Sequence, residues 1–317
     1  MSNNVVVVLA GGLSHERDVS LRSGRRVASA LRDAGCDVVE SDVSAGLLGR
    51  LIELGRPVVL PMLHGGAGED GAVRQALELA EIPFVGSSAA ASRVAFDKSI
   101  GTTVAWEAGL RTPQQVALPD DLFRELGASD LVAALAERLE FPMIIKPSRS
   151  GSALGFSRVD SVDELPQAMV KAYGYGPVAI AETYVAGTEV AVSVIDTGDG
   201  PRALPAVEIR PDSGVYDYEA RYTAGQTRFI CPAEISDEVA ARCAELAVAA
   251  HEALGLADLS RTDMIIGEDG FPVFLEVNVA PGMTETSTLP LSVEAAGLDL
   301  GELLLQLVSV ARARGAR

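Results

Sequence analysis

Two carboxylates and one amide in the last quarter of the chain could hold a divalent cation. Asp263, Glu276 and Asn278 flank the pair Asp269-Gly270, and an Asp-Gly pair between apolar runs predicts a two-residue hairpin turn. Counting outward from that turn sets Asp263 opposite Glu276 and Arg261 opposite Asn278. All four side chains then share one face, because side chains alternate along a strand. Such oxygens suit Mg²⁺ that also holds phosphate, which predicts a nucleotide-dependent enzyme. A solvated hairpin face is the alternative, and an inward-facing acid and amide count against it.

The loop 148–155 is a candidate phosphate-binding loop. It is rich in glycine and serine and directly follows a predicted strand that ends in Lys146. Glycines let backbone N–H groups approach a polyphosphate closely, and a nearby ammonium would neutralise its charge. The loop matches neither the Walker A pattern nor the dinucleotide fingerprint, and Gly11-Gly12 lacks the third glycine of the latter. A hydride-transfer enzyme is therefore disfavoured, and a plain flexible turn stays open as the alternative.

Several other side chains could serve a nucleotide or amino-acid site, although each has an ordinary structural explanation. Lys98 could be a solvated surface charge. Glu182 and Glu189 flank a predicted strand end, where backbone could bind an adenine and Glu189 a ribose, or both could be surface carboxylates. Glu16 lies where a helix begins, so it could stabilise the helix dipole or anchor a substrate ammonium. The polar stretch 216–222, with three tyrosines, could close over a site or simply cover the sheet.

Composition narrows the class of protein. The chain has 317 residues, 48% of them hydrophobic, which predicts a compact protein of two or three domains. Its net charge of −18 disfavours nucleic acid and anionic membrane surfaces as partners, because no basic surplus is present to neutralise their phosphates. The cysteines, Cys36, Cys231 and Cys243, lack metal-binding spacing, and an odd number suits a reducing compartment. The apolar run 5–10 is too short to span a bilayer, so we expect a cytoplasmic protein.

Alternating strands and helices predict a first α/β domain with a parallel sheet. Its first strand is the β-branched run Val5–Leu9, typical of a strand buried on both faces. Ligands of such sheets bind beyond the carboxyl ends of the strands, where segments 14–16 and 64–71 lie. Further strands are predicted at 37–41, 56–63, 142–146, 178–185, 189–196, 203–209 and in the hairpin, and helices at 20–34, 92–109, 131–139, 236–254 and 300–312.

In their order and spacing, short motifs along nearly the whole chain resemble the D-alanine–D-alanine ligases, members of the ATP-grasp family. They are GGLSHERDVSL at 11–21, LHG at 63–65, GEDG at 68–71, FDK at 96–98, KPSR at 146–149 with GS at 151–152, YDYEARY at 216–222, CPA at 231–233, RTD at 261–263, EVN at 276–278 and PGMT at 281–284. The resemblance implies a three-domain ATP-grasp architecture of mixed α/β and α+β class. The N-terminal parallel α/β domain would span 1–86, the central subdomain with the phosphate loop 87–183, and the C-terminal subdomain with the metal and oxyanion site 184–317.

The resemblance also implies the roles of individual residues. The residues that match the family's ligands for two Mg²⁺ or Mn²⁺ ions are Asp263, Glu276 and Asn278. The residues that match its ATP-binding residues are Lys98, Lys146, Glu182, Thr183, Val185, Glu189 and Arg221. The residues that match its catalytic residues are Glu16, Ser152, Tyr222, Arg261 and Gly282, and the residues expected to bind the amino-acid substrates are His64, Ser287 and Thr288.

The implied reaction has two steps, with D-alanine and ATP as substrates. The carboxylate of one D-alanine attacks the γ-phosphate, giving an acyl phosphate and ADP, and the amine of a second D-alanine then displaces phosphate. Glu16 would hold the first amino group and would be linked through Ser152 to Tyr222. Arg261 and the backbone N–H of Gly282 would stabilise the tetrahedral oxyanion. The product is a peptidoglycan precursor, and homodimers are usual in the family.

The sequence departs from the family pattern at four positions. Arg221 stands where many relatives have a phosphate-binding lysine, and Ser150 and Ala153 replace a glutamate and a serine of the phosphate loop. Thr288 occupies a position that is often leucine, which leaves the second substrate open. Tyr222 is retained, which favours amide formation over the ester ligases that use D-lactate. A ligase of other amino acids in specialised metabolism and a catalytically silent binding protein are the alternatives, and the complete metal and oxyanion set disfavours the silent protein.

Overall fold

The computed structural model describes residues 5–212, 214, 216, 220, 223 and 225–316. Within these residues, no helix combines the length and the apolar character that crossing a bilayer requires. Three separate sheets organise this part of the chain, and each lies within one of the three predicted segments. The domain boundaries at residues 86 and 183 stay a prediction.

The first sheet is parallel, as predicted. Its strands β1 (Val5–Leu9), β2 (Asp37–Ser41) and β3 (Val58–Pro61) lie in the order β2-β1-β3, and the helices α1 (Arg17–Asp33), α2 (Leu47–Glu53) and α3 (Ala72–Leu79) follow the three strands in turn. Helix α1 begins three residues earlier than predicted and packs closely on β1. A Cβ added to Gly24 would lie 2.4 Å from the Cβ of Ala10, so only glycine permits this approach.

The second sheet is antiparallel and has the order β4-β7-β5-β6. Its elements are α4 (Ala89–Phe96), α5 (Lys98–Glu107), β4 (Gln115–Pro119), α6 (Asp120–Leu126), α7 (Ala128–Arg138), β5 (Met143–Pro147), β6 (Ser157–Val159), α8 (Leu165–Tyr173) and β7 (Val178–Thr183). The single helix predicted over 92–109 is wrong, because the chain is extended at Asp97. The Asp97 side chain accepts a hydrogen bond from the backbone N–H of Ile100 and begins a new helix there.

The third sheet has the order β11-β10-β8-β12-β13, with β9 paired to β8. Its elements are β8 (Thr188–Ile195), β9 (Arg202–Ala203), β10 (Val207–Pro211), β11 (Thr227–Ile230), α9 (Asp237–Ala253), β12 (Leu259–Ile266), β13 (Pro272–Asn278), α10 (Thr288–Ala295) and α11 (Leu300–Arg314). The single strand predicted over 203–209 is wrong, since the chain leaves the ladder between β9 and β10. Pro205 lies in this gap and has no N–H to donate to a neighbouring strand.

The C-terminal helix α11 packs against the first sheet, where its apolar side chains join those of α1 and β3. Its last residue, Arg314, donates to both carboxylate oxygens of Asp258 at 2.5 and 2.8 Å and to the carbonyl of Phe84 at 2.9 Å. The Asp258 carboxylate also accepts from the N–H of Gly86 at 2.7 Å. This junction therefore ties three distant parts of the chain together.

We expect Arg314→Ala to lower the free energy of unfolding by about 3 kcal/mol, because it strands a buried carboxylate. The side chain of Asp258 is only 2% exposed, so water cannot replace the guanidinium. Urea denaturation followed by circular dichroism measures the loss. The matched control is Arg124→Ala, which removes the two ion pairs of an arginine that is 77% exposed and is expected to cost about 0.5 kcal/mol or less. Equal losses in the two variants would contradict the account of this junction.

Candidate active site

The hairpin β12–β13 carries the predicted metal ligands in the predicted register, although its turn is not the predicted one. Asp263 pairs with Glu276 and Arg261 with Asn278. The two-residue turn is wrong, because Gly267 and Phe271 close a three-residue loop in which Gly270 has a φ of +74°. A register shift after Asp263 makes up the difference and leaves Leu275 as the extra residue. The longer loop and the register shift cancel each other, so Asp263 still pairs with Glu276 as predicted.

Each of the three predicted metal-binding side chains interacts with a donor group of the protein. Arg261 donates to both oxygens of Asp263 at 2.7 Å each, and the Lys98 ammonium lies 3.2 Å from Glu276. The side-chain oxygen of Asn278 accepts from the N–H of Ala280 at 2.7 Å. Burial acts to lower the pKa of the Arg261 guanidinium, but the charges of Asp263 and Glu276 outweigh it and raise the pKa, so the group stays charged.

The donor set fits a hard cation such as Mg²⁺ better than zinc. It consists of two carboxylates and an amide, which are oxygen ligands of the kind Mg²⁺ prefers. In the described part of the chain, no group of three or more His, Cys, Asp or Glu side chains could hold a metal ion by itself, so remaining ligands would have to come from phosphate or water. Lys98 and Arg261 contact Glu276 and Asp263 and balance part of their negative charge.

Two adjoining cavities are lined by all of the predicted site residues that the structure describes. The first has a volume of about 370 Å³ and lies between the second and third sheets. Its predicted members are Lys98, Lys146, Ser152, Glu182, Thr183, Val185, Glu189, Asp263 and Glu276. The second, of about 210 Å³, reaches toward the first sheet, and its predicted members are Glu16, His64, Lys98, Ser152, Arg261, Glu276, Asn278, Gly282, Ser287 and Thr288. Lys98, Ser152 and Glu276 line both, so the cavities meet at these side chains.

The loop 148–155 lies at this meeting point, and Asp97 helps to place it. Asp97 accepts from the hydroxyl of Ser148 at 2.5 Å, and the ammonium of Lys98 donates to the carbonyl of Ser150 at 2.6 Å. Ser152 and Ala153 both adopt the left-handed conformation, with φ of +53° and +55°. On the strands beside the loop, Lys146 donates to the buried carboxylate of Glu182 at 2.7 Å.

Glu16 is an acidic residue that lines the second cavity next to Ser152. The sequence left open whether its carboxylate serves the helix or a substrate. Glu16 immediately precedes α1, but its side chain caps no backbone N–H of that helix. Instead the carboxylate accepts a short hydrogen bond from the hydroxyl of Ser152. A Cβ added to Gly65 would lie 2.4 Å from a Glu16 oxygen, so the glycine makes room for this carboxylate.

Glu69 and His64 lie beside Glu16, and sequence reasoning assigned no role to Glu69. Burial, followed by the negative charge of Glu16, raises the pKa of Glu69 to about 7. Burial lowers the pKa of His64 to about 4, so this imidazole is neutral at pH 7. The available signal for Glu69 was its place in the strand-end loop 64–71. Arg22, Thr284 and Thr286 also line this cavity without having been singled out.

Two predicted residues, Arg221 and Tyr222, lie outside the described residues. Tyr216, at the start of the same polar stretch, is described and lines both cavities. The ring of Tyr216 meets that of Phe229 edge to face, with centroids 6.1 Å apart. The stretch therefore reaches the site at least at this position.

Two antiparallel sheets with a cavity between them, lined by lysines and carboxylates, give the chain the ATP-grasp fold of its structural relatives. A family model for the C-terminus of D-Ala–D-Ala ligases matches residues 105–309. The chain belongs to the D-alanine–D-alanine ligase family.

Named relatives match along nearly their whole length. A D-alanine–D-alanine ligase of Bordetella petrii is 39% identical over 306 residues, covering 96% of this chain and 91% of that protein. One of Nitrosomonas europaea is 40% identical, covering 96% of each. Among solved structures, the VanG D-Ala:D-Ser ligase from Enterococcus faecalis has a TM-score of 0.84 at 28% identity, covering 98% of this chain and 100% of that one. The Bacillus anthracis D-alanine–D-alanine ligase complexed with ATP has a TM-score of 0.80 at 29% identity, covering 98% and 97%.

Proposed function

We propose that this protein joins two molecules of D-alanine into D-alanyl-D-alanine at the expense of ATP, for peptidoglycan synthesis. The observation that carries the proposal is the meeting of a nucleotide cavity and an amino-acid cavity at Lys98, Ser152 and Glu276. A phosphoryl group at this junction can pass from one cavity to the other. The names of the three relatives that are 38–40% identical to this chain support the same reaction and do not favour a ligase of other amino acids.

ATP is the nucleotide of this reaction. Its base would lie at the end of β7, where Thr183 and Val185 border the cavity, with Glu189 toward the ribose. Lys98 and Lys146 would contact the phosphates. Both lysines now face carboxylates, at 3.2 and 2.7 Å, so a bound polyphosphate would compete for them. Arg221, from the polar stretch, is proposed to contact the phosphates as well.

Asp263, Glu276 and Asn278 would hold the divalent ions, two Mg²⁺ or Mn²⁺. Bound there, the ions would neutralise the phosphate oxygens that repel an incoming carboxylate. The protein contributes a fixed oxygen set, because Asp263 and Glu276 face each other across one hairpin. Lys98 and Arg261 supply the balancing positive charge.

In the first step, an oxygen of the D-alanine carboxylate forms a bond to the γ-phosphorus while the bond to the β-bridging oxygen breaks and ADP departs. Glu16 would receive the ammonium of this D-alanine, and the position of its carboxylate in the lining of the second cavity supports this role. Ser152 holds that carboxylate and belongs to the phosphate loop. The same contact therefore links the position of the amino acid to that of the phosphate.

In the second step, the amine of another D-alanine, having lost its proton, attacks the acyl carbon. The resulting oxyanion would be held by Arg261 and the N–H of Gly282, and phosphate leaves as the amide forms. Ser287 and Thr288, at the start of α10, would receive the carboxylate of this second amino acid. Tyr222 is proposed to complete the contact to Ser152. Water has to be excluded, because the acyl phosphate hydrolyses readily.

Three expectations about the whole protein remain part of the proposal. The three segments 1–86, 87–183 and 184–317 would act as separate units of an ATP-grasp enzyme. The protein would work in the cytoplasm, where ATP is made. A homodimer is expected on family analogy alone.

Phosphate release measured across a panel of D- and L-amino acids tests the proposed function. We expect release with D-alanine alone, in the presence of ATP and Mg²⁺, together with D-alanyl-D-alanine detected by mass spectrometry. The L-amino acids serve as matched controls for each side chain. Release that requires a different amino acid, or ATP turnover without dipeptide, would overturn the assignment.

A further inference from the structure

The segment 280–283 is pinned at both of its ends by one chain of hydrogen bonds. The carbonyl of Ala280 lies 3.0 Å from Nδ1 of His64, and the N–H of Met283 lies 3.1 Å from the hydroxyl oxygen of Ser23. The other ring nitrogen of His64, Nε2, lies 2.9 Å from the same hydroxyl. Gly282 sits between the two pinned ends, directly after Pro281.

The direction of every hydrogen bond in this chain is forced. The Ala280 carbonyl can only accept, so Nδ1 of His64 carries the proton and Nε2 is an acceptor. The Ser23 hydroxyl therefore donates to Nε2, and a lone pair of its oxygen accepts the Met283 N–H. His64 is neutral at pH 7, since burial lowers its pKa to about 4. Ser23 is fully buried and His64 is 5% exposed, so water does not compete for either.

We propose that Ser23 is a positioning residue for the second chemical step, because it fixes segment 280–283 and thereby aims the N–H of Gly282. This inference rests on the proposed function, which gives that N–H its oxyanion role. The fit around Gly282 is tight, since an added Cβ would lie 2.6 Å from the hydroxyl of Ser287. Movement at Met283 would therefore disturb both the oxyanion donor and the second amino-acid subsite.

The change Ser23→Ala releases only the Met283 end of the segment. At the other end, Ala280 keeps the contact from its N–H to Asn278 at 2.7 Å and the contact from its carbonyl to His64. The metal ligands on β13 are therefore left in place. We expect the first step to persist while the attack on the acyl phosphate slows by about tenfold to a hundredfold, less than the loss of an oxyanion donor outright.

Hydroxylamine competition measures this effect as a ratio. Hydroxylamine attacks acyl phosphate that has left the enzyme, displacing phosphate and giving a hydroxamate without help from the oxyanion donors, so the ratio of hydroxamate to dipeptide rises when the enzyme-bound second step slows. The ratio should rise by about tenfold to a hundredfold in Ser23→Ala, with the KM for ATP unchanged. A variant with the wild-type ratio, even one of lowered stability, would overturn the proposal.

Ser20→Ala is the matched control. Ser20 lies one turn earlier on α1, is also fully buried, and bonds to the N–H of Gly11 at 2.7 Å and the carbonyl of Met62 at 2.6 Å. It should lose comparable stability and keep the wild-type product ratio. His64→Asn interrupts the hydrogen-bond chain between Ser23 and Ala280. It should raise the ratio of hydroxamate to dipeptide as Ser23→Ala does, and an unchanged ratio would also refute the proposal. Failure of the proposed function is distinguishable, because the wild-type enzyme would then form neither product from D-alanine.

Discussion

Glu276→Ala is expected to abolish ATP turnover while leaving the fold intact. Glu276 lines both cavities and faces Asp263 across the hairpin, so its loss removes an oxygen from the proposed metal set at the point of phosphoryl transfer. A bound divalent ion contributes several kcal/mol of charge stabilisation, which corresponds to a loss of about a thousandfold or more in kcat. Phosphate release in the presence of D-alanine, ATP and Mg²⁺ measures it.

Glu268→Ala is the matched control for this experiment. It removes the same charge from the same hairpin, but Glu268 lies exposed in the loop between β12 and β13. We expect wild-type turnover in the control and unchanged circular dichroism spectra in both variants. Calorimetric titration with ADP should show that Mg²⁺ strengthens binding to the control and much less to Glu276→Ala. Normal turnover in Glu276→Ala would remove the metal assignment.

The pairing of the polar residues on β12 and β13 could be predicted from the sequence, because it depends on their residue types more than on the type of turn. The two-residue turn and the uninterrupted register were both wrong, and the errors cancel at Asp263. An inward-facing acid opposite another acid is costly unless something bridges the pair, and this demand holds at any turn length. By contrast, no residue type near Leu275 marks it as the position of the bulge.

The side chain of Asp97, which caps α5, explains why one helix was predicted where the structure has two. Apolar spacing continues from 92 to 109, so periodicity alone predicts one helix. The Asp97 carboxylate accepts from Ile100 and from the hydroxyls of Ser99 and Ser148, and these bonds stabilise an extended backbone at that position. Ser148 is 51 residues away. Helical periodicity is a local property of the sequence, so it cannot reveal a hydrogen-bond partner so far along the chain.

The sequence alone could not predict residues that act by positioning other residues. Ser23 bonds to Met283 across 260 positions, and His64 bonds to Ala280 across 216. A serine inside a helix is neutral or slightly unfavourable for helix stability, and nothing in the neighbourhood of Ser23 in the sequence predicts this role. The residues predicted to touch substrates were named mainly from the resemblance of their motifs to the ligase family, and many of them lie at strand ends and in glycine-rich loops.

Arg261→Lys is expected to lower kcat by about a hundredfold to a thousandfold, with nucleotide binding largely preserved. The lysine retains the positive charge that Asp263 requires, but it loses the planar fork that donates to two oxygens at once. Arg261 now places that fork on Asp263, at 2.7 Å to each oxygen, and lines the amino-acid cavity. An oxyanion formed there would lose one of its two fixed donors. Initial rates of dipeptide formation, measured by mass spectrometry at saturating substrates, give the change in kcat.

The competing explanation is that Arg261 acts only by holding Asp263 in place for the divalent ion. The two roles separate in the affinity for ADP with Mg²⁺, measured by calorimetry. If Arg261 stabilises the oxyanion, the dissociation constant should change by no more than about threefold, or 0.7 kcal/mol, while kcat falls. Arg242→Lys is the control on the opposite face of the third sheet, because the guanidinium carbon of Arg242 lies 4.2 Å from the centre of the Phe271 ring and Arg242 does not line either cavity. A parallel loss of nucleotide affinity and kcat in Arg261→Lys would assign this arginine to the metal site instead.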